Sequence, residues 1–387
     1  MSALSGLRIV DFSKFLPGPY CTWLLADMGA DVIRVENPRE VEKQAQVFGW
    51  DTLPDAQRRA LRETDILARN KRSVMLDLGD AKALDAIKAL IATADVVVED
   101  YRPGVMEKIG LGYETLKAIK PDLIYTSLTL CGQTGPYRDK PGHDPIALAI
   151  AGVLSRIGEN PDAPSFSGIP AADVITGTHA AFATLAALIE RGHTGAGRHV
   201  DVAMSDCAMS LLVNVLSRYP DLSKLPSRGA RRADIGLWRT SDGKFVCTTD
   251  MEPRYWRAFC QAVGRPDFIP LQHDVQSRAD IRATLDGIFA SRTQAEWLQV
   301  LGAAGTQFAP VLEIAEALDD PHNRARGMVL DLSVEGRSVR QLGQPVRIGG
   351  PTKIRNLGRF PGADTEEVLA ELGFPPDRER SSTARSA

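Results

Sequence analysis

The sequence predicts an α/β fold: a large domain with a parallel sheet, followed by a smaller α+β domain. Short apolar runs typical of buried strands alternate with stretches of helical apolar spacing through the first third of the chain. After residue 225 the pattern changes to one hairpin followed by several helices. The length of 387 residues is consistent with about two domains.

The alternation begins at the N-terminus. LRIVDFS predicts a buried strand, YCTWLLADMGA a helix that stops at Gly29, and DVIRVE the next strand. A strand, a helix and a strand in about 30 residues form the βαβ unit of a parallel sheet. The pattern continues through SVMLDL, AKALDAIKALIATA, DVVVED, GYETLKAIK and DLIYTSL, which indicates a Rossmann-like domain.

One segment, 37–70, interrupts this alternation with a charged stretch rich in Gln and Arg. We expect either a mobile or helical flap over an opening or a plain solvated surface helix. Further on, VITGTHAAFATLAALIERG predicts a long helix ending near Gly192. DIGLWRTSDGKFVCTTD predicts a hairpin with Asp242 and Gly243 at its turn. We expect the small domain over 225–330.

The composition excludes several classes of protein. A hydrophobic share of 44% and a charged share of 25% are typical of soluble globular proteins. The net charge of −3 provides no field that attracts nucleic acid or an anionic membrane. No apolar run reaches the ~18 residues that span a bilayer, and the N-terminus lacks a signal-peptide pattern. The five scattered cysteines form no CxxC pair, so we expect a reduced, cytoplasmic protein without a bound metal.

Four ionisable residues stand near predicted helix starts. His143 and Asp144 follow a Pro-Gly turn in KPGHDPIALAIAG, Asp173 precedes the long helix, and Glu252 ends a strand before a helix. Each has a structural interpretation: the carboxylates cap or favour a helix start, and the histidine is a surface residue. In the functional interpretation His143 is a general base, Asp173 a base or nucleophile, and Glu252 the orienting partner of a histidine.

Two basic segments are candidates for binding an anion. Lys71 and Arg72 stand in RNKRSVMLDL and Arg102 in EDYRPGVMEKIGLG, both at predicted strand edges, where phosphates often dock. The structural alternative is a solvated basic surface. The GxGxxG fingerprint and the P-loop are missing from the sequence, so a standard nicotinamide or ATP site is not supported.

Four long stretches of the chain form a recognisable set: LSGLRIVDFSKFLPGPYCTWLLADMGADVIRVENP, NKRSVMLDL, VVVEDYRPGVMEKIGLGYETLKAIKPDLIYTSLTLCGQTGPYRDKPGHD and TGAGRHVDVAMSD. Together they resemble the class III CoA-transferase family, of CaiB/BaiF type, and the resemblance covers about residues 4–351. It implies a homodimer of two interlocked ring-shaped chains. Each chain would have a Rossmann-type large domain at 1–215, completed by a return segment at 331–375, and a small domain. We expect a disordered tail over 376–387.

The resemblance also implies a ligand. The substrate would be an acyl-CoA thioester, with no separate cofactor. Lys71, Arg72 and Arg102 would contact the nucleotide and the phosphates. Gly142 and Asp144, which flank the histidine of the GHD motif, would belong to the same binding site.

The family divides at the position of Asp173. In its transferases the aspartate attacks the thioester, giving a mixed anhydride and then an aspartyl-CoA thioester. In its racemases the aspartate and a histidine stand on opposite faces of the α-carbon. One removes the α-proton, an enolate forms, and the other returns a proton. A glutamate supports the histidine. This sequence has all three racemase positions, His143, Asp173 and Glu252. We therefore expect a racemase, with backbone N–H groups near Asp173 stabilising the enolate oxygen.

Departures from the racemase pattern leave the transferase alternative open. Racemases usually carry GHDINY, GDFGGG and LDGGAPFY, where this chain has GHDPIALA, ADVITGTHAA and GARRADIGLW. The second of these is closer to transferase members. A third alternative is a non-catalytic partner subunit, and the retention of the three ionisable positions argues against it.

Overall fold

The chain forms two compact units. The structure, a computed structural model, describes residues 2–160, 162–228, 231–334, 336–348 and 350–374. The tail predicted to be disordered, 376–387, lies outside the described residues.

The large unit is built from three stretches of the chain and the small unit from two. The large unit comprises Met1–Ile157, Pro164–Leu225 and Ala325–Ala387, and the small unit comprises Gly158–Ala163 and Pro226–Arg324. The division differs from the predicted one in that the return to the large unit begins at Ala325 and a short stretch after Ile157 joins the small unit.

A six-stranded parallel sheet lies at the centre of the large unit. Its strand order is β3-β2-β1-β4-β5-β6, so the order reverses between β1 and β4. In such sheets ligands bind in the crevice at the carboxyl ends of the strands, where the order reverses. The strands are β1 (Arg8–Asp11), β2 (Asp31–Glu36), β3 (Lys71–Met75), β4 (Val96–Glu99), β5 (Ile124–Thr129) and β6 (Arg198–Ala203).

Helices connect these strands and cover both faces of the sheet. They are α1 (Pro17–Asp27), α2 (Pro38–Val47), α3 (Asp55–Thr64), α4 (Ala81–Ala92), α5 (Val105–Lys108), α6 (Tyr113–Ile119), α7 (Asp144–Ile150), α8 (Ala171–Thr194), α9 (Met204–Met209) and α10 (Val213–Arg218).

The two faces of the sheet belong to two separate cores. Val10 packs with residues of α4 and α6, whereas its neighbour Ile9 packs with residues of α1 and α8. Successive side chains of a strand point to opposite faces. Because both faces are covered, the strands are continuous apolar runs, which is the pattern that the sequence showed.

The helix α8 forms a layer on one face of the sheet. It is the one helix among the described residues that is long and apolar enough to cross a membrane, by length and composition alone. It packs closely against α1, because a Cβ at Gly177 would lie 2.6 Å from the Pro17 carbonyl oxygen. Its buried residues Thr176, Ala180 and Thr184 lie along that inner side. The helix is thus part of the layered α/β fold.

The return segment completes the large unit at β3. The backbone N–H of Ser73 donates to Asp364 (2.8 Å), and that of Arg355 donates to the side chain of Asn70 (2.6 Å). The buried ion pair between Arg69 and Asp27 (2.6 Å) lies beside this contact. The large unit is therefore built from both ends of the chain, as the resemblance implied. The return contains β10 (Val329–Val334), β11 (Arg337–Leu342) and α16 (Thr365–Glu371).

The segment 37–70 forms two helices, α2 and α3, whose residues are all partly or fully exposed. The side chain of Asn37 caps α2 by accepting the Arg39 N–H. The segment is thus helical, and the role of a flap stays a prediction.

The small unit is built on a three-stranded antiparallel sheet of order β7-β8-β9. The predicted hairpin is present, and Gly243 has a φ of 78° at its turn. Its core is rich in aromatic rings: Trp238 stacks on Phe289, and Phe289 also contacts the tilted ring of Trp297. The elements are β7 (Ile235–Arg239), β8 (Phe245–Thr249), α11 (Pro253–Ala262), α12 (Arg278–Phe289), α13 (Gln294–Ala304), β9 (Phe308–Pro310), α14 (Ile314–Asp319) and α15 (Pro321–Ala325).

Candidate active site

A cavity of about 400 Å³ opens at the carboxyl edge of the parallel sheet. Its walls come from the loops after β1 and β4, the end of β5, the segment that leads into α7, and the first turn of α8. Four of the predicted site residues line it together: Arg102, Gly142, His143 and Asp173. Sequence reasoning placed the two ionisable groups thirty residues apart, and the fold brings them to one cavity.

His143 is the residue immediately before α7, in extended conformation (φ −130°, ψ −175°). Its imidazole is exposed to the cavity and touches the ring of Phe15 edge-on, with 5.6 Å between the ring centroids. Such contacts between aromatic rings favour a fixed orientation. The loop after β1, which carries Phe15, therefore helps to orient the imidazole.

Asp173 lies in the first turn of α8 and is half-buried. The N-cap position of this helix belongs to Pro170, so the interpretation of Asp173 as a plain N-cap is wrong. Burial raises the pKa of Asp173 to about 6, the Asp144 carboxylate adds to the increase, and His143 opposes it. The carboxyl group can thus be either ionised or protonated close to neutral pH.

Asp144 does not line the cavity. It is buried, with 7% of its surface exposed, and its Oδ1 accepts the N–H groups of Ala172 (2.6 Å) and Asp173 (3.2 Å). The expected contact with CoA is corrected accordingly, because this oxygen already serves two donors inside the protein. The interpretation of Asp144 as the cap of its own helix is also wrong, since it caps α8 instead.

The N–H groups at the start of α8 have internal acceptors. Ala171 donates to the Ile169 carbonyl, Ala172 and Asp173 donate to Asp144, and Val174 donates to the Pro170 carbonyl. The expectation that these groups stabilise an enolate oxygen is therefore wrong for this conformation.

Gly142 and Arg102 lie on different segments of the cavity wall. A Cβ at Gly142 would stand 2.9 Å from side-chain atoms of both Leu130 and Ile146, so only glycine allows this close approach. Arg102 is exposed and, within the described residues, forms no ion pair. The contact of Arg102 with a phosphate stays a prediction, and its place in the cavity wall is compatible with it.

Lys71 and Arg72 are not in the cavity, and the predicted contacts with the nucleotide are corrected. The strand β3 begins at Lys71, two residues earlier than predicted. The buried ammonium of Lys71 pairs with Asp11 (3.2 Å) and donates to the Thr22 hydroxyl (2.6 Å). Arg72 pairs with Asp31 (2.7 Å), the first residue of β2, and so lies near the amino edge of the sheet, opposite the cavity.

Glu252 belongs to the small unit, where it directly precedes α11. Within the described part of the chain its carboxylate makes no cap to that helix. Instead, the side-chain amide of Gln307, oriented with its nitrogen toward Glu252, donates to Oε2 (3.2 Å) and also to the carbonyl of Thr249. The role of Glu252 as support for a histidine stays a prediction.

Sequence reasoning missed three cations and one carboxyl group of the cavity. Lys14 follows β1, Asp100 follows β4, and Arg138 and Lys140 precede the GHD motif. The first two stand at the carboxyl ends of the strands between which the order reverses, and this position was the signal that could have found them. The last two flank a motif that the sequence analysis had already singled out.

Asp100 ties two walls of the cavity together. Its Oδ2 accepts the backbone N–H groups of Lys14 and Phe15, each at 2.7 Å. Burial raises the pKa of Asp100 to about 7, although these two hydrogen bonds act in the opposite direction. The same loop is held from α2 by the ion pair between Lys14 and Glu40 (2.9 Å).

Comparison with known proteins identifies the family. The pattern of CoA-transferase family III matches residues 4–365. A crystal structure of a CaiB/BaiF family protein from Brucella suis superposes with a TM-score of 0.80 at 29% identity, covering 96% of this chain and 99% of that one.

Characterised relatives fall into two kinds. The chain is 33% identical to alpha-methylacyl-CoA racemase of Homo sapiens, over 96% of this chain and 94% of that protein. It is 34% identical to succinyl-CoA:mesaconate CoA-transferase of Haloarcula hispanica, over 96% and 97%. It is 35% identical to an acyl-CoA transferase of Fusarium pseudograminearum, over 96% and 85%. The chain belongs to CoA-transferase family III and is an enzyme of that family.

Proposed function

We propose that this enzyme inverts the α-carbon of a 2-methyl-branched or similar acyl-CoA thioester. The observation that carries the proposal is the shared cavity of His143 and Asp173. Inversion requires one group to remove the α-proton and a second group, on the other face of the carbon, to return one. An imidazole and a carboxyl group that reach the same cavity from different segments suit these two tasks.

The acidity of Asp173 supports this chemistry. A catalytic acid or base works best when its pKa lies near the working pH. Burial raises the pKa of Asp173 to about 6. This carboxyl group can therefore take up and release a proton without a large penalty, which a reaction running in both directions requires. This chemistry uses no cofactor or metal beyond the CoA thioester itself.

The charge of the cavity supports a CoA ester as the substrate. The cations Lys14, Arg102, Arg138 and Lys140 all line the cavity that contains the proposed acid and base. Guanidinium and ammonium groups bind phosphate oxygens, arginine often in a bidentate manner. We propose that they hold the phosphates of CoA and that Gly142 lets the chain lie close to the ligand. Relatives named after acyl-CoA substrates agree with this choice.

A CoA transferase is the second candidate, and the position of Asp173 favours it as well. The half-buried carboxylate lines a cavity rich in cations. One of its oxygens would attack the thioester carbonyl, the C–S bond would break, and CoA would leave as the thiolate. The thiolate would then attack the Asp173 carbonyl of the anhydride, releasing the carboxylic acid and leaving an aspartyl-CoA thioester for the acceptor acid.

Isotope exchange separates the two reactions. Wild-type protein is incubated with 2-methylacyl-CoA in D₂O, and deuterium in the acyl group is measured by mass spectrometry, with His143→Ala and Asp173→Ala as comparisons. We expect uptake by the wild type, less uptake in each single variant and none in a variant that combines both substitutions. Absence of uptake from any branched acyl-CoA, together with a hydroxylamine adduct on Asp173, would establish the transferase alternative instead.

We propose that the enzyme acts as a homodimer in the cytoplasm, without a membrane or nucleic acid partner. Support comes from the outer side of α8, where Phe182 and Ile189 are 70% and 64% exposed. Large apolar side chains in such a position usually mark an interface. Light scattering on the purified chain tests this: twice the chain mass is expected, and assembly only with a different chain would favour the partner-subunit alternative.

A further inference from the structure

Asp144 joins the two segments that carry the proposed acid and base. It is the first residue of α7, and its buried Oδ1 accepts the N–H groups of Ala172 and Asp173 at 2.6 and 3.2 Å. His143 is its neighbour in the chain. One carboxylate oxygen of Asp144 thus links the chain next to His143 to the backbone N–H of Asp173.

The start of α8 depends on this contact. The first N–H groups of a helix lack partners within the helix and need acceptors from outside. Pro170 stands at the N-cap position, and proline has no side chain able to accept a hydrogen bond. Asp144, which lies 28 residues before Ala172, provides the missing acceptor. An anionic acceptor at a helix start is also favoured by the helix dipole.

We propose that Asp144 is a positioning residue that fixes Asp173 relative to His143. Its negative charge also acts on the acidity of the Asp173 carboxyl group. This inference rests on the proposed function, because it assigns Asp144 to the same site. The position follows from the two hydrogen bonds to the first turn of α8. The effect on acidity follows from the proximity of a second negative charge to Asp173 in a partly buried site.

Other charged groups around the cavity must be considered beside Asp144. His143 opposes the increase in the pKa of Asp173 that burial and Asp144 produce. The loop after β1 contributes Lys14, the loop after β4 contributes Asp100 and Arg102, and the segment before α7 contributes Arg138 and Lys140. Among these charged groups only Asp144 does not line the cavity. Its charge can therefore be removed without changing the cavity wall.

Two substitutions separate the charge of Asp144 from its hydrogen bonds. In Asp144→Asn the amide oxygen can still accept both N–H groups, but the charge is gone. In Asp144→Ala both are lost. Asp85→Asn, at an exposed position on α4, removes the same charge elsewhere and is the control. The Asp173 carboxyl group is titrated by NMR of ¹³C-labelled aspartate, with Asp173→Asn identifying its signal.

For Asp144→Asn we expect a kcat within a few-fold of the wild type and a midpoint of the Asp173 titration moved to lower pH. For Asp144→Ala we expect kcat to fall by about 10²-fold, as for a misplaced reacting group, with little change in KM. The control should match the wild type in both measurements. Rescue by asparagine combined with a shifted titration is not expected of a residue that only stabilises the fold.

An unchanged titration in Asp144→Asn would overturn the assigned effect on acidity, and wild-type kcat in Asp144→Ala would overturn the positioning role. The titration does not depend on which reaction the enzyme catalyses. If the wild type shows no α-proton exchange while the titration still shifts, the proposed function fails and the role of Asp144 in setting the acidity stands.

Discussion

At the scale of single residues, buried carboxyl groups determine how the cavity responds to pH. Asp100 and Asp173 both have pKa values raised by burial, to about 7 and about 6. Each ionises below neutral pH in an unfolded chain. Their ionisation therefore costs the folded state stability as the pH rises through these values, and it switches their chemical role in the same range.

Asp100→Asn should stabilise the protein more at high pH than at low pH. The folded-state pKa of Asp100 is raised, so the neutral carboxyl group contributes stability that is present at low pH and is lost as the pH rises through about 7. The asparagine keeps an oxygen for the Lys14 and Phe15 N–H groups and cannot ionise. The unfolded chain already ionises at this position above about pH 4, so we expect the melting temperature of the variant to exceed that of the wild type by a margin that grows as the pH is raised from 4 to 8.5. A variant less stable at pH 8.5 would contradict this account.

The pH dependence of the reaction should reveal Asp173. Where Asp173 removes the α-proton it must be ionised, so the exchange rate at low substrate concentration should fall as the pH drops through about 6. The measurement is deuterium uptake from pH 4.5 to 8. A rate that stays constant down to pH 4.5 would exclude Asp173 as the base. For the enantiomer whose proton Asp173 removes, Asp173→Asn should reduce the rate by about 10²–10⁴-fold above pH 6.

At the scale of elements, the contact between α1 and α8 sets the position of Asp173. The Gly177→Val substitution would place a Cβ 2.6 Å from the Pro17 carbonyl oxygen, a backbone atom that cannot move freely. We expect a loss of about 1–3 kcal/mol in the free energy of unfolding, as for overpacked cores. The measurement is urea denaturation followed by circular dichroism.

A glycine on the same helix provides the control for this prediction. A Cβ at Gly192 meets nothing within 4 Å, so Gly192→Ala should stabilise the protein by about 0.5–1 kcal/mol through helix propensity. Equal effects of the two substitutions would show that the close approach of the two helices is not needed for stability.

Several elements were predictable, because their signals are local. The strand DVIRVE matches β2, and the hairpin around Gly243 matches β7 and β8, since turn chemistry and apolar runs need no distant partner. The partner of Asp144 was not predictable, because it lies 28 residues away and becomes a neighbour only through packing. The predicted contact of Lys71 with the nucleotide was wrong for a related reason. A strand boundary read from the sequence does not show that the fold buries the Lys71 ammonium beside Asp11.

At the scale of the whole molecule, a buried ion pair connects the first helix with the return of the chain. Arg69 and Asp27 are both fully buried, and Arg69 also donates to the Leu342 carbonyl (2.8 Å). Asp27→Ala would leave the guanidinium buried without its counterion, and we expect a loss of about 3–5 kcal/mol in the free energy of unfolding. Glu190→Ala, which breaks an exposed pair with Arg198, should leave the urea midpoint unchanged. Equal midpoints for both variants would contradict this role of the return segment.

The central claim is that His143 and Asp173 act on opposite faces of one α-carbon. The most direct measurement is deuterium uptake from each enantiomer of a 2-methylacyl-CoA, using His143→Ala and Asp173→Asn separately. Each variant keeps one base, so we expect each to exchange one enantiomer and to have lost the other, with opposite preference in the two variants and no inversion in either. Loss of exchange from the same enantiomer in both variants, or no exchange by the wild type, would contradict the claim.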